Sequence, residues 1–286
     1  VKTLRFAVTA PDRLDRVLAA AHPDLSRRQA RALISAGAVF VDGRRCKVAS
    51  RIPERGTPVV VHLAPADSTP DPQLLFQDED IVVVNKPAGL TANESETSAK
   101  DALVHKLGPG VRLVHRLDRD TTGVMVLAKS ARAAEALSAA FRDRQIDKRY
   151  VAVSMGVPPE GWVEAPIGRD ERRPRCFTVR PDGRPARTHV AVVGSRDGLA
   201  AVRLTLDSGR THQIRVHLAH LRAPILGDTQ YGAKVAARVG EAVLRATRPL
   251  LHAEHLGFTL FGVAHAFDAP LPEDLAAVWG RVVGPG

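Results

Sequence analysis

The densest concentration of reactive side chains in the chain is His115-Arg116-Leu117-Asp118-Arg119-Asp120-Thr121-Thr122-Gly123. Eight residues carry an imidazole, two guanidinium groups, two carboxylates and two hydroxyls before a glycine closes the run. A carboxylate held beside fixed positive charge stays ionised and oriented, which suits a nucleophile or a base. Arg119 separates Asp118 from Asp120, and Arg116 stands two residues before Asp118. A solvated turn with surface ion pairs is the competing reading. The density of groups, and the abrupt change to Val124-Met125-Val126-Leu127-Ala128, favour a site at the mouth of a rigid core. Two other places offer comparable chemistry. Lys148-Arg149-Tyr150 contains one of only two tyrosines in the chain, the other being Tyr231. Its ring can stack on a nucleobase while its neighbours hold phosphates, or it can pack in the core with its hydroxyl at the surface; the residues leave both open. Asp207-Ser208-Gly209-Arg210-Thr211-His212-Gln213-Ile214-Arg215 is the second polar concentration. One carboxylate, one tyrosine and one arginine from these three places would make a compact site.

The elements that must position these groups follow from periodicity. The apolar run after Gly123 is long enough for one buried strand and too short for a helix. Ile81-Val82-Val83-Val84 is a second buried strand, stopping at the turn Asn85-Lys86-Pro87-Ala88-Gly89, where Lys86 is expected to project. Ser130 caps a helix to about Arg144 with Ala133, Leu137 and Phe141 as its stripe. Lys148 to Val153 begins a strand; Val190, Val192, Val202, Leu204 and Leu206 alternate as half-buried antiparallel strands do. A helix opens within Asp207–Arg215, buries Ile214, Leu218 and Leu221, and ends at Pro224. Leu251 to Leu260 is a late strand, and Pro270-Leu271-Pro272 introduces a last helix. Residues 91–101 are polar and expected to be mobile. There is no internal repeat and no low-complexity tract.

Residues 1–63 are expected to form a small separate module, and 64–72, with three prolines, a linker. Asp12 is the expected N-cap of a helix carrying Leu14, Val17, Leu18 and Ala21. Ser26-Arg27-Arg28-Gln29 fits a capping box for a second helix with Ala30, Leu33 and Ile34 inside and Gly37 at its end. An Asp42-Gly43 hairpin and a strand from Thr57 follow. Arg27, Arg28 and Arg31 in the first turns oppose the helix dipole, which costs about 0.3–1 kcal/mol per exposed charge. Folding alone does not favour that placement; a phosphate partner does.

Composition narrows the partner. The 286 residues carry a formal charge of +10 with arginine dominating, which points to an anionic partner, most often nucleic acid. No run approaches the length that spans a membrane, and no secretory pattern opens the chain, so a cytoplasmic protein is expected. Cys46 and Cys176 lie too far apart in sequence to suggest a disulfide framework or a zinc site, in keeping with a reducing compartment. Eleven histidines, among them His212, His217, His220, His252 and His255, keep a metal-dependent hydrolase as a rival, but none shows the helical pair with glutamate that a zinc protease uses. A non-catalytic RNA-binding protein is the other rival.

These motifs carry a resemblance. His115-Arg116-Leu117-Asp118, Lys148-Arg149-Tyr150-Val151-Ala152 and Gly209-Arg210-Thr211-His212-Gln213-Ile214-Arg215-Val216-His217 stand in the order and at the spacing of the RluA-type pseudouridine synthase family. Asp78 to Gly89 resembles that family's opening strand and turn, and Pro224 to Asp228 a later one. The resemblance covers roughly residues 74–260. The alternating strands with few helices between them predict an α+β catalytic domain over 73–286, built on a mixed, mostly antiparallel sheet with a central cleft. The resemblance implies isomerisation of uridine in ribosomal or transfer RNA, without cofactor or metal, by a monomer. Carried over by position, Asp118 is the catalytic aspartate, attacking the uridine at the base or at ribose carbon 1. Tyr150 packs on the base and assists loss of the carbon 5 proton, and Arg215 pairs with Asp118. Arg116 fills the space left by a flipped nucleotide. Arg119, Lys86, Lys148, Arg210 and His212 are assigned to RNA binding. Many relatives place a histidine shortly after the Lys-Pro-x-Gly turn; Thr91-Ala92-Asn93-Glu94 stands here instead, which bears on substrate identity. Residues 12–63 are similar to the small RNA-binding domain first recognised in a ribosomal small-subunit protein. That likeness adds Arg27, Arg28 and Arg31 to the RNA contacts.

Overall fold

Short apolar runs broken by turn residues assemble into two units, residues 1–68 and 69–286. The computed structural model describes residues 2–22, 25–35, 37–63, 70–92 and 103–284, with the backbone alone for Lys2, Arg28, Ala32, Ser35, His62 and Leu63. The expected linker therefore falls largely, and the polar segment 91–101 mostly, outside the described residues, as do Asn93 and Glu94.

In the first unit, β1 (Lys2–Ala7), α1 (Leu14–Ala21), α2 (Arg27–Ser35), β2 (Val39–Val41), β3 (Arg44–Arg45) and β4 (Pro58–Leu63) give an antiparallel sheet in the order β1-β4-β2-β3. Leu14, Leu18, Ala30 and Ile34 pack with Val39, Val41, Val59 and Val61. The capping box is present: Ser26 N–H donates to Gln29 Oε1 at 2.8 Å, and Gln29 N–H to Ser26 Oγ at 3.3 Å. Asp12 is not the cap of α1; Arg13 holds that position, and Asp12 accepts the Arg13 N–H one residue too early. The structure also answers why arginines crowd the start of α2. Asp15, 0% exposed, receives Arg13 and Arg31 at 3.1 and 2.6 Å, with Arg27 at 3.5 Å. Burial would push this carboxyl up, but the hydrogen bonds from Arg13 and Arg31 outweigh it and hold it far below the usual carboxylate range. Arg27 and Arg31 are thus tied at one tip to an internal acid while remaining half exposed; the Arg28 side chain lies outside the described residues.

The second unit contains β5 (Gln73–Gln77), β6 (Ile81–Lys86), α3 (Leu103–Leu107), β7 (Arg112–Leu113), β8 (Thr122–Ala128), α4 (Ala131–Arg142), β9 (Asp147–Met155), β10 (Gly161–Glu164), β11 (Ile167–Arg169), β12 (Phe177–Val179), β13 (Arg187–Arg196), β14 (Leu199–Leu206), α5 (Gln213–His220), β15 (Ala236–Val239), β16 (Ala242–Arg245), β17 (Leu251–Leu260), β18 (Val263–Asp268) and α6 (Glu273–Val283). Its main sheet has ten strands in the order β10-β13-β14-β9-β17-β8-β6-β5, with β18 beside β17 and β7 beside β8. Among the described pairs of this sheet only β8 and β17 are parallel. The fold is α+β on a mixed, mostly antiparallel sheet, as the sequence implies.

The sheet is buried on both faces at its centre. Val82, Val84, Met125 and Leu127 join a core with Leu204, Leu218 and the α6 residues Leu275 and Val278. The alternate residues Ile81, Val83, Val124 and Val126 pack with Ala133 and Leu137 of α4. Ser130 caps α4 as expected, its Oγ accepting Ala133 N–H at 3.1 Å. Gly123 sits where the polar loop becomes strand. Its φ is +118°, and a Cβ there would lie 2.2 Å from the Ala253 carbonyl oxygen across the lone parallel pair. No other residue allows β17 to approach so closely. In register, Leu204, Tyr150, Ala253, Gly123 and Lys86 form one cross-strand row. α5 differs from expectation. Residues 213–218 are all buried, not one apolar stripe, because Gln213 and His217 find polar partners on Thr188 of β13 at 2.9 Å each. No helix among the described residues is long and apolar enough to cross a membrane.

Candidate active site

The loop that carries Asp118 is held from both sides by cations. Lys86, at the end of β6 and 0% exposed, donates to the carbonyls of Pro87, Leu90 and Arg119 at 2.8, 2.9 and 2.9 Å. Arg248 donates through Nη1 to the Asp120 carbonyl at 3.1 Å and binds both carboxylate oxygens of Asp274, in the first turn of α6, at 2.8 Å. Arg119 closes the arrangement, exchanging hydrogen bonds of 3.0 Å with Gly89. The residues flanking Asp118 are therefore pinned to the end of β6, to the Gly89 turn and, through Arg248, to α6, which orients its carboxylate without touching it.

This corrects two RNA-binding assignments, Lys86 and Lys148. Lys86 does not project toward a phosphate; the turn folds back over its ammonium. Lys148 is 7% exposed, and burial lowers its pKa, with Asp207 partly offsetting the effect. His115 stacks on Phe141 at 4.4 Å and accepts the Val126 N–H at 3.1 Å. Burial, with some help from Lys148, lowers its pKa to about 3, so it is a neutral structural acceptor.

Lys86 gives a pH test. Burial lowers its pKa from 10.5 to about 7, against the pull of Asp120 and Asp118. Its three donors match three carbonyls, so the cation is the form the geometry satisfies. Between pH 7 and 10.5 the unfolded chain holds this proton more firmly than the folded one, so this residue's contribution to stability rises with pH across that window. Urea unfolding of wild type and Lys86→Met should show their stability difference shift in favour of wild type by about 2 kcal/mol from pH 7 to pH 9. A pH-independent difference would show that Lys86 does not titrate there.

Arg215, on α5 and 7% exposed, is the hub of the site. Its Nε and Nη2 bind Asp228 bidentately at 2.7 and 2.9 Å, Nη2 also reaches Gln230 Oε1 at 2.7 Å, and Nη1 donates to Asp118 Oδ2 at 3.1 Å. Its guanidinium lies 4.9 Å above the Tyr231 ring. Burial opposes the charge, but Asp228 and then Asp118 overcome it and hold the group above its ordinary range. With the remaining donors occupied, Nη1 has one direction to point, and Asp118 is there.

His212 begins α5 in the left-handed region, φ 57°, and its Nε2 lies 3.9 Å from Asp118 Oδ2. Its Nδ1 is 2.8 Å from the Tyr231 hydroxyl, which itself accepts Phe177 N–H at 3.0 Å. Burial pushes the Tyr231 phenol up to about 12, so it keeps its hydrogen and offers it to Nδ1. Burial also lowers the His212 pKa, partly offset by Asp118. A neutral ring with its Nε2–H toward Asp118 follows, which is a wall of the site and not a phosphate-binding cation.

These groups border a cleft of about 690 Å³, with Arg116, Arg119, Arg169 and Arg175 on its walls. A recess of about 110 Å³ shares Asp118, His212 and Arg215 with it and adds Tyr150, Leu206 and Leu251. Tyr150, 9% exposed, is thus brought to Asp118 from 32 residues away, and Arg215 from a further 65. Burial, then the Asp118 charge, raises the Tyr150 phenol well above its ordinary range. Arg210 lines the recess and donates to the Pro185 carbonyl at 3.0 Å. Asp228, Gln230, Tyr231 and Arg248 were not anticipated as parts of the site. Pro224 to Asp228 was visible as a segment resembling the family, but nothing local announces that its acid neutralises an arginine 13 residues earlier. Among the described residues no three His, Cys, Asp or Glu side chains gather as a metal-ligand set.

Residues 80–220 match the RNA pseudouridylate synthase family and residues 12–59 the S4 domain. An RNA pseudouridine synthase of Chloroflexus aurantiacus is 39% identical, covering 93% of this chain and 89% of its own. This chain belongs to the RNA pseudouridine synthase family. Ribosomal large subunit pseudouridine synthase D of Xanthomonas campestris is 36% identical to this synthase, over 96% of this chain and 91% of that one. Among solved structures, human RNA Pseudouridylate Synthase Domain Containing 4 superposes with a TM-score of 0.59 at 30% identity, over 73% of this chain and 92% of that one.

Proposed function

We propose that this synthase isomerises uridine in ribosomal RNA, with Asp118 as the nucleophile. The observation that carries the reading is the Asp118 carboxylate, 3.1 Å from the one Arg215 donor left uncommitted, in a recess whose other wall is Tyr150. Asp118 attacks the uridine at the base or at ribose carbon 1; on either path the glycosidic N1–C1′ bond breaks. The uracil turns, a C5–C1′ bond forms, Asp118 is released, C5 loses a proton and N1 gains one. Arg215 keeps the carboxylate ionised and aimed. Arg116, at the cleft wall, takes the place of the nucleotide that has left its stack. Tyr150 packs against the base. In the empty recess its phenol is protonated; one cause of that, the negative charge of Asp118, disappears once the carboxylate has bonded to the uridine. Loss of that charge makes the phenolate, the form able to take the carbon 5 proton, less unfavourable after attack than before it.

The ribosomal substrate is supported by the names of full-length relatives, the large-subunit enzymes of Xanthomonas campestris and Escherichia coli, the latter 34% identical over 92% of this chain. The N-terminal S4 domain and the +10 charge suit a large structured RNA. This reading puts a monomeric enzyme in the cytoplasm with its RNA. The test is incubation of the purified synthase with unmodified transcripts of large-subunit ribosomal RNA and of transfer RNAs, followed by pseudouridine mapping. Product at discrete ribosomal uridines is expected. Product confined to transfer RNA would overturn the substrate half, and none in either would overturn the reading.

A further inference from the structure

At the far edge of the sheet, Trp162 on β10 is 46% exposed, although large aromatic rings usually bury. It is not loose. The Arg187 guanidinium covers the ring at 3.9 Å, and the His189 ring meets it edge-on at 5.1 Å. Arg187 Nε lies 2.8 Å from Glu164 Oε1, yet it is buried without a well-aligned acceptor, so stacking contributes to holding this side chain in place. The result is a pre-ordered cation–aromatic platform facing solvent. Beside it runs a groove of about 340 Å³ lined by Arg144, Glu164, Pro166, Pro185, Arg187 and Asp207.

The groove borders the active site through one loop. Asp207 and Ser208 line the groove, and the next residues, Gly209, Arg210 and Thr211, line the recess that holds Asp118 and Tyr150. Arg210 lies close enough to Arg184 and Arg144 for their charges, after burial, to lower its pKa. Arg184 and Arg210 have no carboxylate within 4.0 Å among the described residues. Around the loop, four guanidinium groups face two carboxylates, an imbalance suited to a polyanion. In register, Trp162 stands opposite His189, His189 opposite Thr205, and Thr205 opposite Arg149, the neighbour of Tyr150. Three strand spacings, about 14 Å, separate Trp162 from the strand bearing Tyr150. Their opposite parity puts them on opposite faces of the sheet.

We propose that single-stranded RNA flanking the target uridine leaves the recess over Arg210, Arg184 and Arg144, crosses the strand ends, and stacks a base on Trp162. The proposal rests on the reading of the recess as the uridine site. Guanidinium groups hold the phosphates while the indole supplies a sequence-tolerant stacking face, the combination that single strands use. A protein partner would gain little from a cation cluster at this rim.

The test has two arms. In a full-length Trp279→Phe background, Trp162 is the only tryptophan. Oligoadenylate and oligouridylate should quench its emission saturably and less at high salt, while inorganic polyphosphate, with charge but no bases, should compete without quenching. In the wild-type background, Trp162→Ala should raise KM for the RNA transcript about tenfold with kcat unchanged, and Trp162→Phe should restore most of the loss. Unchanged KM in the alanine variant, or quenching by polyphosphate alone, would overturn the proposal. If wild type forms no pseudouridine, the function reading fails first; oligonucleotide quenching then still decides whether Trp162 receives a base.

Discussion

Asp118→Asn should abolish pseudouridine formation while leaving RNA bound. The amide keeps the shape of the carboxylate and can still accept the Arg215 Nη1 hydrogen bond, so the loop held by Lys86 and Arg248 has no reason to move. What disappears is the charge and with it the nucleophile. Loss of a nucleophile that acts as part of a unit lowers turnover on the order of 10⁴-fold or more. RNA affinity should hold or rise slightly, because a negative charge has been removed from a surface that meets phosphates. The decisive measurement pairs affinity at fixed salt with product formed in a single turnover. Product near the wild-type rate would remove Asp118 from the mechanism.

Asp228→Ala carries the second large effect, and it acts through stability first. Arg215 and Asp228 side chains are 8% and 1% exposed and joined by two hydrogen bonds. Removing one member of a buried pair leaves the other without its counter-charge and costs about 3–5 kcal/mol. Gln230 and Asp118 remain as partners for Arg215, which places the expected loss near the lower end, about 3 kcal/mol by urea unfolding. The surviving folded enzyme should be slower as well, since Arg215 then lacks the bidentate partner that fixes its orientation toward Asp118. A fully stable, fully active variant would show that Asp228 is not what sets the guanidinium.

Much of this architecture could be read before the structure. Val124 to Ala128, Ile81 to Val84 and Leu251 to Leu260 announced central strands because a sheet covered on both faces leaves continuous apolar runs. The Ser26–Gln29 box and the Ser130 cap are local devices, written in residues three apart. Asp118, Tyr150 and Arg215 were legible as chemistry-bearing residues, and the family resemblance sharpened their roles. What stayed hidden depends on distant partners. Lys86 looks like a turn cation until three carbonyls close over it, one of them 33 residues away. Arg27 and Arg31 look like pure phosphate ligands until Asp15 proves to be buried between α1 and α2. Arg248 and Asp228 gave no periodic signal at all, since a single buried ion pair leaves no pattern in sequence. β1 was missed because its alternation is short and half of it is charged or polar.

The cross-strand row of Leu204, Tyr150, Ala253, Gly123 and Lys86 bears on fidelity. Strand neighbours are spaced by about 4.8 Å, and a slip of one residue turns every side chain to the opposite face. The distance from Tyr150 to the Asp118 loop therefore cannot drift by small amounts; the constellation is either complete or absent. An enzyme damaged in this sheet should fall silent and not become careless. Its failures would appear as uridines left unmodified, and not as pseudouridines scattered at neighbouring positions.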